Sequence, residues 1–261
     1  MNSMGKKRNM TIPLQRGIIY GPVNSRRLGR SLGVNLLPTD YKLCTFNCLY
    51  CQYGWTKIHG NHLPDEKAWP SVSKVVNELE NVLRNINPLP AYITFSGNGE
   101  PTLHPYFPEI VGEINRLKVM YAPESKTAIL SNSTTIIDSN IRDAINALDV
   151  RIMKLDCGNE QCLRRYNRPS DGIQFEEIVA GLHMIENVTI QSLFSDGPEG
   201  NSHPDDLNSW IEKMKMLVPH QVQIYTIQRG YPSNKILPLS CERLLEIEKK
   251  LGSENIPARV Y

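Results

Sequence analysis

Cys44-Thr45-Phe46-Asn47-Cys48-Leu49-Tyr50-Cys51 sets three thiols in a CxxxCxxC spacing, and this run decides more about the chain than any other stretch. Loops of two or three residues between cysteines let several sulfurs converge on one soft metal centre with little chain entropy lost. A cubane of four irons and four sulfides takes four thiolates, so a loop that offers three leaves one iron without a protein ligand and open to chemistry. Zinc is the rival metal. Structural zinc takes four ligands, usually as two separated pairs; no second pair follows, but His59 and His62 keep a Cys-Cys-Cys-His site open. A disulfide reading is weaker, because six cysteines in 261 residues without an N-terminal signal-like apolar stretch point to a reducing, cytoplasmic setting.

Composition is that of an ordinary globular chain, 40% hydrophobic and 21% charged, with a net charge of +2. No apolar run approaches the ~20 residues that a bilayer crossing needs, so no membrane partner is expected. No Gly/Ser-rich or Pro-rich linker divides the chain. The expected organisation is an N-terminal arm over 1–30 and one core domain over 31–261. Basic residues gather early, at Lys6, Lys7, Arg8, Arg26, Arg27 and Arg30. Such a cluster suits either phosphate contact or a solvated face.

Beyond the arm, short β-branched runs alternate with longer amphipathic ones, the pattern of an α/β fold with helices covering a parallel sheet. Six strands are expected, over 31–37, 91–96, 127–131, 150–155, 188–194 and 221–227. One-sided apolar stripes predict helices through Val72, Val75, Val76, Leu79, Val82, Leu83 and Ile86; through Phe107, Ile110, Val111, Ile114 and Leu117; and through Leu207, Trp210, Ile211, Met214 and Leu217. These stripes are core. Right-handed crossovers leave both a barrel and a doubly wound sheet open, and in either case polar groups at the carboxyl ends of the strands are the place to look for a site.

CxxxCxxC with Tyr50 before the last cysteine resembles the radical S-adenosylmethionine (radical SAM) superfamily. Residues 20–38 (YGPVNSRRLGRSLGVNLLP), 95–105 (FSGNGEPTLHP) and 154–169 further resemble the subgroup of iron–sulfur oxidoreductases related to tRNA wyosine synthases. The resemblance implies a partial (βα)6 TIM-like barrel, a [4Fe–4S] cluster on Cys44, Cys48 and Cys51, and S-adenosylmethionine chelating the fourth iron. It implies reductive cleavage of that cofactor to a 5′-deoxyadenosyl radical that abstracts a substrate hydrogen. An external one-electron donor of flavodoxin or ferredoxin type would then be a partner, with tRNA guanosine, a peptide or a small metabolite as substrate. An iron–sulfur electron carrier or a structural metal-binding protein is the competing class; a carrier would need a fourth cysteine to shield the cluster.

The expected site follows the strand ends. Tyr50 lies against the cluster or the adenosyl group. Gly97-Asn98-Gly99-Glu100-Pro101 resembles the superfamily's GGEP motif with Asn98 in place of a glycine, and assigns Glu100 to the methionyl ammonium. Ser131 and Asn132 end the third strand, where short polar side chains suit ribose or carboxylate. Lys154 and Asp156 alternate onto one face, as ligand groups if that face is inward; Lys154 also suits a carboxylate, or a Schiff base given a lowered pKa. Gln191 on the fifth strand reads adenine or substrate, and the sixth supplies Tyr225 and Thr226, then Gln228 and Arg229. Arg229 suits a substrate carboxylate or phosphate. The three remaining cysteines, Cys157, Cys162 and Cys241, either hold an auxiliary cluster or serve as small apolar residues.

Overall fold

A computed structural model describes residues 11–59 and 63–261. Lys6, Lys7, Arg8 and His62 fall outside the described residues.

The strands are β1 (Ile19–Ser25), β2 (Gly29–Val34), β3 (Leu43–Cys44), β4 (Ile58–His59), β5 (Tyr92–Phe95), β6 (Lys126–Ser131), β7 (Val150–Lys154), β8 (Thr189–Leu193), β9 (Ser195–Asp196), β10 (Gln221–Tyr225), β11 (Leu237–Pro238) and β12 (Ala258–Val260). The helices are α1 (Val72–Asn85), α2 (Phe107–Tyr121), α3 (Ser139–Asn146), α4 (Glu160–Tyr166), α5 (Phe175–His183), α6 (Pro204–Leu217) and α7 (Cys241–Ser253). One eight-stranded sheet runs β1-β2-β5-β6-β7-β8-β10-β12. From β2 onward every neighbouring pair is parallel, and a helix connects each to the next, so the sheet curls as a partial barrel whose edges are β1 and β12.

All six expected strands are present within a few residues of their expected ends. Residues 19–25 and 29–30, expected in an arm, belong to the sheet: β1 pairs antiparallel with β2, with a register irregularity between Tyr20 and Val23. That interruption and the polar content of the hairpin hide the strand from a pattern search. β12 was also missed, being three residues long. Caps mark several helix starts as their chemistry dictates: Ser71, Asp138, Asn159 and Ser240 each accept a backbone N–H of the first turn of α1, α3, α4 and α7. No helix among the described residues is long and apolar enough to cross a membrane.

The two faces of the sheet differ in chemistry because strand side chains alternate. Leu32, Val34, Ile93, Phe95, Ile129, Met153, Ile190, Val222 and Ile224 face the helices and join the main core with Leu79, Ile110, Trp210 and Ile247. On the other face Ser31, Gly33, Thr94, Ser96, Lys154, Gln191 and Tyr225 line a cavity of about 470 Å³. Each buried apolar side chain on the helix side contributes roughly 1.5–3 kcal/mol, so the outer layer stabilises the sheet and leaves the inner face free to carry polar groups.

Candidate active site

The cavity opens at the carboxyl ends of the parallel strands, where a site in this class of fold belongs. Cys44, Cys48 and Cys51 all line it. The loop that carries them is pinned from beneath. Leu43 N–H donates to the Asn98 carbonyl at 3.0 Å and Glu100 N–H donates to the Leu43 carbonyl at 3.1 Å. The backbones approach so closely there that a Cβ on Gly99, whose φ is +148°, would lie 1.6 Å from the Leu43 oxygen. Only glycine fits that position.

The sulfurs meet donors and one cation. Phe46 N–H and Asn132 Nδ2 point at Cys44 Sγ at 3.4 and 3.5 Å, and Asn167 Nδ2 points at Cys48 Sγ at 3.4 Å. Lys42 is 4% exposed, lines the cavity, and donates to the Gly54 carbonyl at 3.0 Å. Burial would lower its pKa, but Cys51, Cys44 and Cys48 outweigh burial and raise it. Burial in turn pushes the Cys44 thiol up to about 12 and Cys48 to about 11, with Lys42 opposing in both cases. Free thiolates are therefore costly here, and a soft metal centre that takes them up, balanced by Lys42, suits the set. Among the described residues no three His, Cys, Asp or Glu side chains converge to hold a single metal ion. A cubane makes no such demand, since its cysteines bind separate irons.

Glu100 lines the cavity and is buried. Its Oε1 accepts from Thr102 N–H at 3.2 Å and Thr102 Oγ1 at 2.7 Å, and its Oε2 accepts from Asn132 N–H at 2.6 Å. Burial raises its pKa above the usual carboxylate range, and these hydrogen bonds oppose the shift. A ligand cation would relieve the buried charge. Gly97, Gly99, Ser131 and Asn132 line the cavity beside it.

On the opposite wall Lys154 Nζ donates to Tyr225 Oη at 3.0 Å and pairs with Asp156 at 3.2 Å. Burial would lower the Lys154 pKa, but Asp156 and Tyr225 raise it above the usual lysine value. These neighbours favour the protonated amine, whereas the Schiff-base option asks for a lowered pKa. Tyr50, Gln191 and Tyr225 line the cavity as expected, with Tyr225 Oη donating to Gln191 Oε1 at 3.3 Å.

Two expected cofactor contacts are corrected. Asn98 does not line the cavity. It is fully buried, and its Nδ2 donates to the carbonyls of Gln15 and Pro38, each at 2.9 Å, while its Oδ1 accepts from Gln15 N–H at 2.7 Å. Its side chain is spent on tying residues 15 and 38 together. Asp156 also lies behind the wall. It accepts from Leu193 N–H at 2.8 Å, from Asn167 Nδ2 at 2.7 Å and from Tyr50 Oη, besides its pair with Lys154. With its lone pairs committed, Asp156 positions Tyr50 and Lys154 and has no free edge for a ligand. Cys157 and Cys162 are buried away from the cavity, and Cys241 is exposed at the start of α7. Sequence reasoning missed Lys42 and Asn167; a lysine two residues before the first cysteine was the available signal, whereas Asn167 reaches its sulfur across 119 residues.

The radical SAM superfamily description matches residues 40–227, well over half of the chain. The chain belongs to the radical SAM superfamily. It is 30% identical over 241 residues to a UPF0026 protein of Helicobacter pylori, covering 88% of this chain and 72% of that one. It is also 30% identical over 237 residues to a Brachyspira hyodysenteriae protein named GTPase Obg, but the match spans 88% of this chain and only 33% of that protein. Among solved structures, a radical SAM methyltransferase from Sphaerobacter thermophilus superposes with a TM-score of 0.64 at 15% identity, over 88% of this chain and 65% of the other. TYW1 with a lysine–pyruvate adduct bound gives 0.59 at 18% identity, over 86% and 73%. At these identities the likeness is one of fold, and it agrees with the partial barrel. As a radical SAM protein the chain is an enzyme whose cofactors are a [4Fe–4S] cluster and S-adenosylmethionine, and the residues around the cavity fit both.

Proposed function

We propose that this chain cleaves S-adenosylmethionine reductively and uses the product to abstract a hydrogen atom from its substrate. When bound, the two cofactors supply that chemistry: an electron passed through the cluster splits the sulfonium into methionine and a 5′-deoxyadenosyl radical. The observation that carries the reading is the meeting of Cys44, Cys48, Cys51, Glu100 and Lys154 around one cavity, although they come from three separate segments: the cysteine loop, the turn after β5 and the end of β7. The three cysteines would hold the cluster with Lys42 balancing their charge. Glu100 would receive the methionyl ammonium, and the Lys154 ammonium, held charged by Asp156, suits a carboxylate. Tyr50, Asn132, Gln191 and Tyr225 would flank the nucleoside. The lumen keeps water and stray hydrogen donors from the reacting carbon.

The reading needs an external one-electron donor of flavodoxin or ferredoxin type, a reducing compartment, and a substrate drawn from tRNA, peptides or small metabolites. An electron carrier is disfavoured by the cavity itself, since a carrier gains nothing from a lined hollow beside its cluster. Anaerobic reconstitution followed by dithionite and S-adenosylmethionine tests it. The expected outcome is about four irons per chain and formation of 5′-deoxyadenosine, lost in Cys48→Ser. A fully ligated cluster that leaves S-adenosylmethionine intact would return the chain to the carrier class.

A further inference from the structure

The cavity is charged in an uneven way. Among the described residues its lining contains one carboxylate, Glu100, against five cations: Lys42, Lys154, Arg26, Arg27 and Arg229. Lys42 faces the thiols and Lys154 is paired with Asp156. The three arginines have no carboxylate partner among the described residues.

These arginines come from opposite ends of the chain and meet where the sheet fails to close. Arg26 and Arg27 form the turn between β1 and β2, at one edge of the sheet, and Arg229 follows β10 next to the other edge. Side chains bridge the split: Arg26 donates to Gln228, Arg229 donates to Gln52 Oε1 at 2.8 Å, and Arg27 stacks on Tyr225 at 4.1 Å and on Tyr261 at 5.6 Å. Stacking fixes the plane of the Arg27 fork while leaving its edge free, and its buried Nε has no hydrogen-bond partner. Burial lowers the Arg27 pKa below the usual guanidinium value, Tyr225 opposes, and Arg26 and Arg229 add to the lowering. Like charges held together without a counterion are a standing electrostatic cost that a bound anion removes. Arg30 does not line the cavity.

We infer that Arg26, Arg27 and Arg229 form an anion subsite for a phosphoryl group of the substrate, at the split of the barrel. A lone carboxylate would neutralise one guanidinium, whereas a phosphate monoester or diphosphate carries charge and acceptor oxygens for several. The subsite rests on the radical SAM reading for its purpose: Tyr225 stacks under Arg27 and bonds Lys154, so a phosphate held here anchors the substrate one aromatic ring away from the expected cofactor position.

Inorganic pyrophosphate is the probe, titrated calorimetrically into the cluster-loaded chain at low salt with S-adenosylmethionine both absent and saturating. Binding is expected under both conditions, and Arg27→Gln and Arg229→Gln are each expected to weaken it about tenfold or more. Arg27→Lys, which keeps the charge and loses the fork, should fall between. Arg229 is exposed, so its substitution tests the subsite without disturbing the packing around Tyr225. Binding that S-adenosylmethionine abolishes, or that neither glutamine variant changes, overturns the proposal. A chain that does not bind S-adenosylmethionine but still shows arginine-dependent pyrophosphate binding would sink the radical reading and leave the subsite standing. Competition by a mixed-sequence RNA oligonucleotide, steeply weakened by added salt, assigns the phosphate to a polynucleotide; lack of competition assigns it to a small ester, and either agrees with the subsite.

Discussion

Glu100 accepts three hydrogen bonds from Thr102 and Asn132 and still faces the cavity, so its carboxylate is aimed before any ligand arrives. Glu100→Gln keeps the shape and removes the charge. Its expected effect is a loss of S-adenosylmethionine affinity of about 10- to 100-fold, the range of a charge-assisted hydrogen bond, with the cluster's visible absorbance retained; equilibrium dialysis under nitrogen reads the first and spectroscopy the second. His104 shows a different residue-scale effect. Its Nδ1 accepts from Tyr106 N–H at 3.1 Å, so its Nε2 donates to the Pro70 carbonyl at 2.9 Å and the ring is neutral. Burial lowers its pKa below 6.5, with the Pro70 contact opposing. The unfolded chain then takes the proton more readily. This contribution to stability is fully present above about 6.5 and is lost as pH falls towards the lower folded value. The urea midpoint is expected to fall between about pH 7.5 and about pH 5.5, by less in His104→Gln.

At the scale of elements, the cysteine loop has no regular structure of its own beyond β3 and is shaped by its neighbours. Asn98 ties Gln15 and Pro38 together, and the backbone after β5 lies directly against Leu43. Gly99→Ala changes no ligand and no charge, yet its Cβ would meet the Leu43 carbonyl, so the loop must move. The expected outcome is a chain with near-native far-UV circular dichroism that retains well under half of the wild-type iron after anaerobic reconstitution. Full iron loading would mean that the loop tolerates displacement and that the contact is incidental.

For the whole molecule, stability and chemistry occupy opposite faces of one sheet. The ladder from β2 to β12 does not pass through the cysteine loop, and of the loop's core members Phe46 and Leu49 are apolar side chains that alanine substitution of the cysteines leaves in place. Replacing Cys44, Cys48 and Cys51 together by alanine is therefore expected to leave cooperative unfolding and the native far-UV spectrum in place, with no bound iron. Loss of cooperative folding in that variant would show that the metal centre is part of the core. The open split between β1 and β12 has the same origin: a sheet that does not close leaves an entrance, and the side chains that bridge it, Arg26, Arg27 and Arg229, are those free to meet a substrate.

Local spacing was enough for what depends on neighbours along the chain. CxxxCxxC, the GNGEP turn and the apolar stripes of α1, α2 and α6 are each confined to one loop or helix, so their meaning is written in consecutive residues. Six parallel strands were legible for the same reason, as buried β-branched runs between helices. Contacts between distant segments were not. Lys154 and Asp156 alternate as expected, but only the packing of Leu193, Asn167 and Tyr50 around Asp156 removes it from the cavity and leaves Lys154 facing in. Asn98 was drawn inward by Gln15, and Arg27 and Arg26 of the first hairpin were drawn to Tyr225 and Gln228 across most of the chain. Residue type and spacing determined the kind of chemistry; tertiary structure decided which polar groups reach it, because side-chain partners far apart in sequence compete for the same lone pairs and only the folded geometry selects among them.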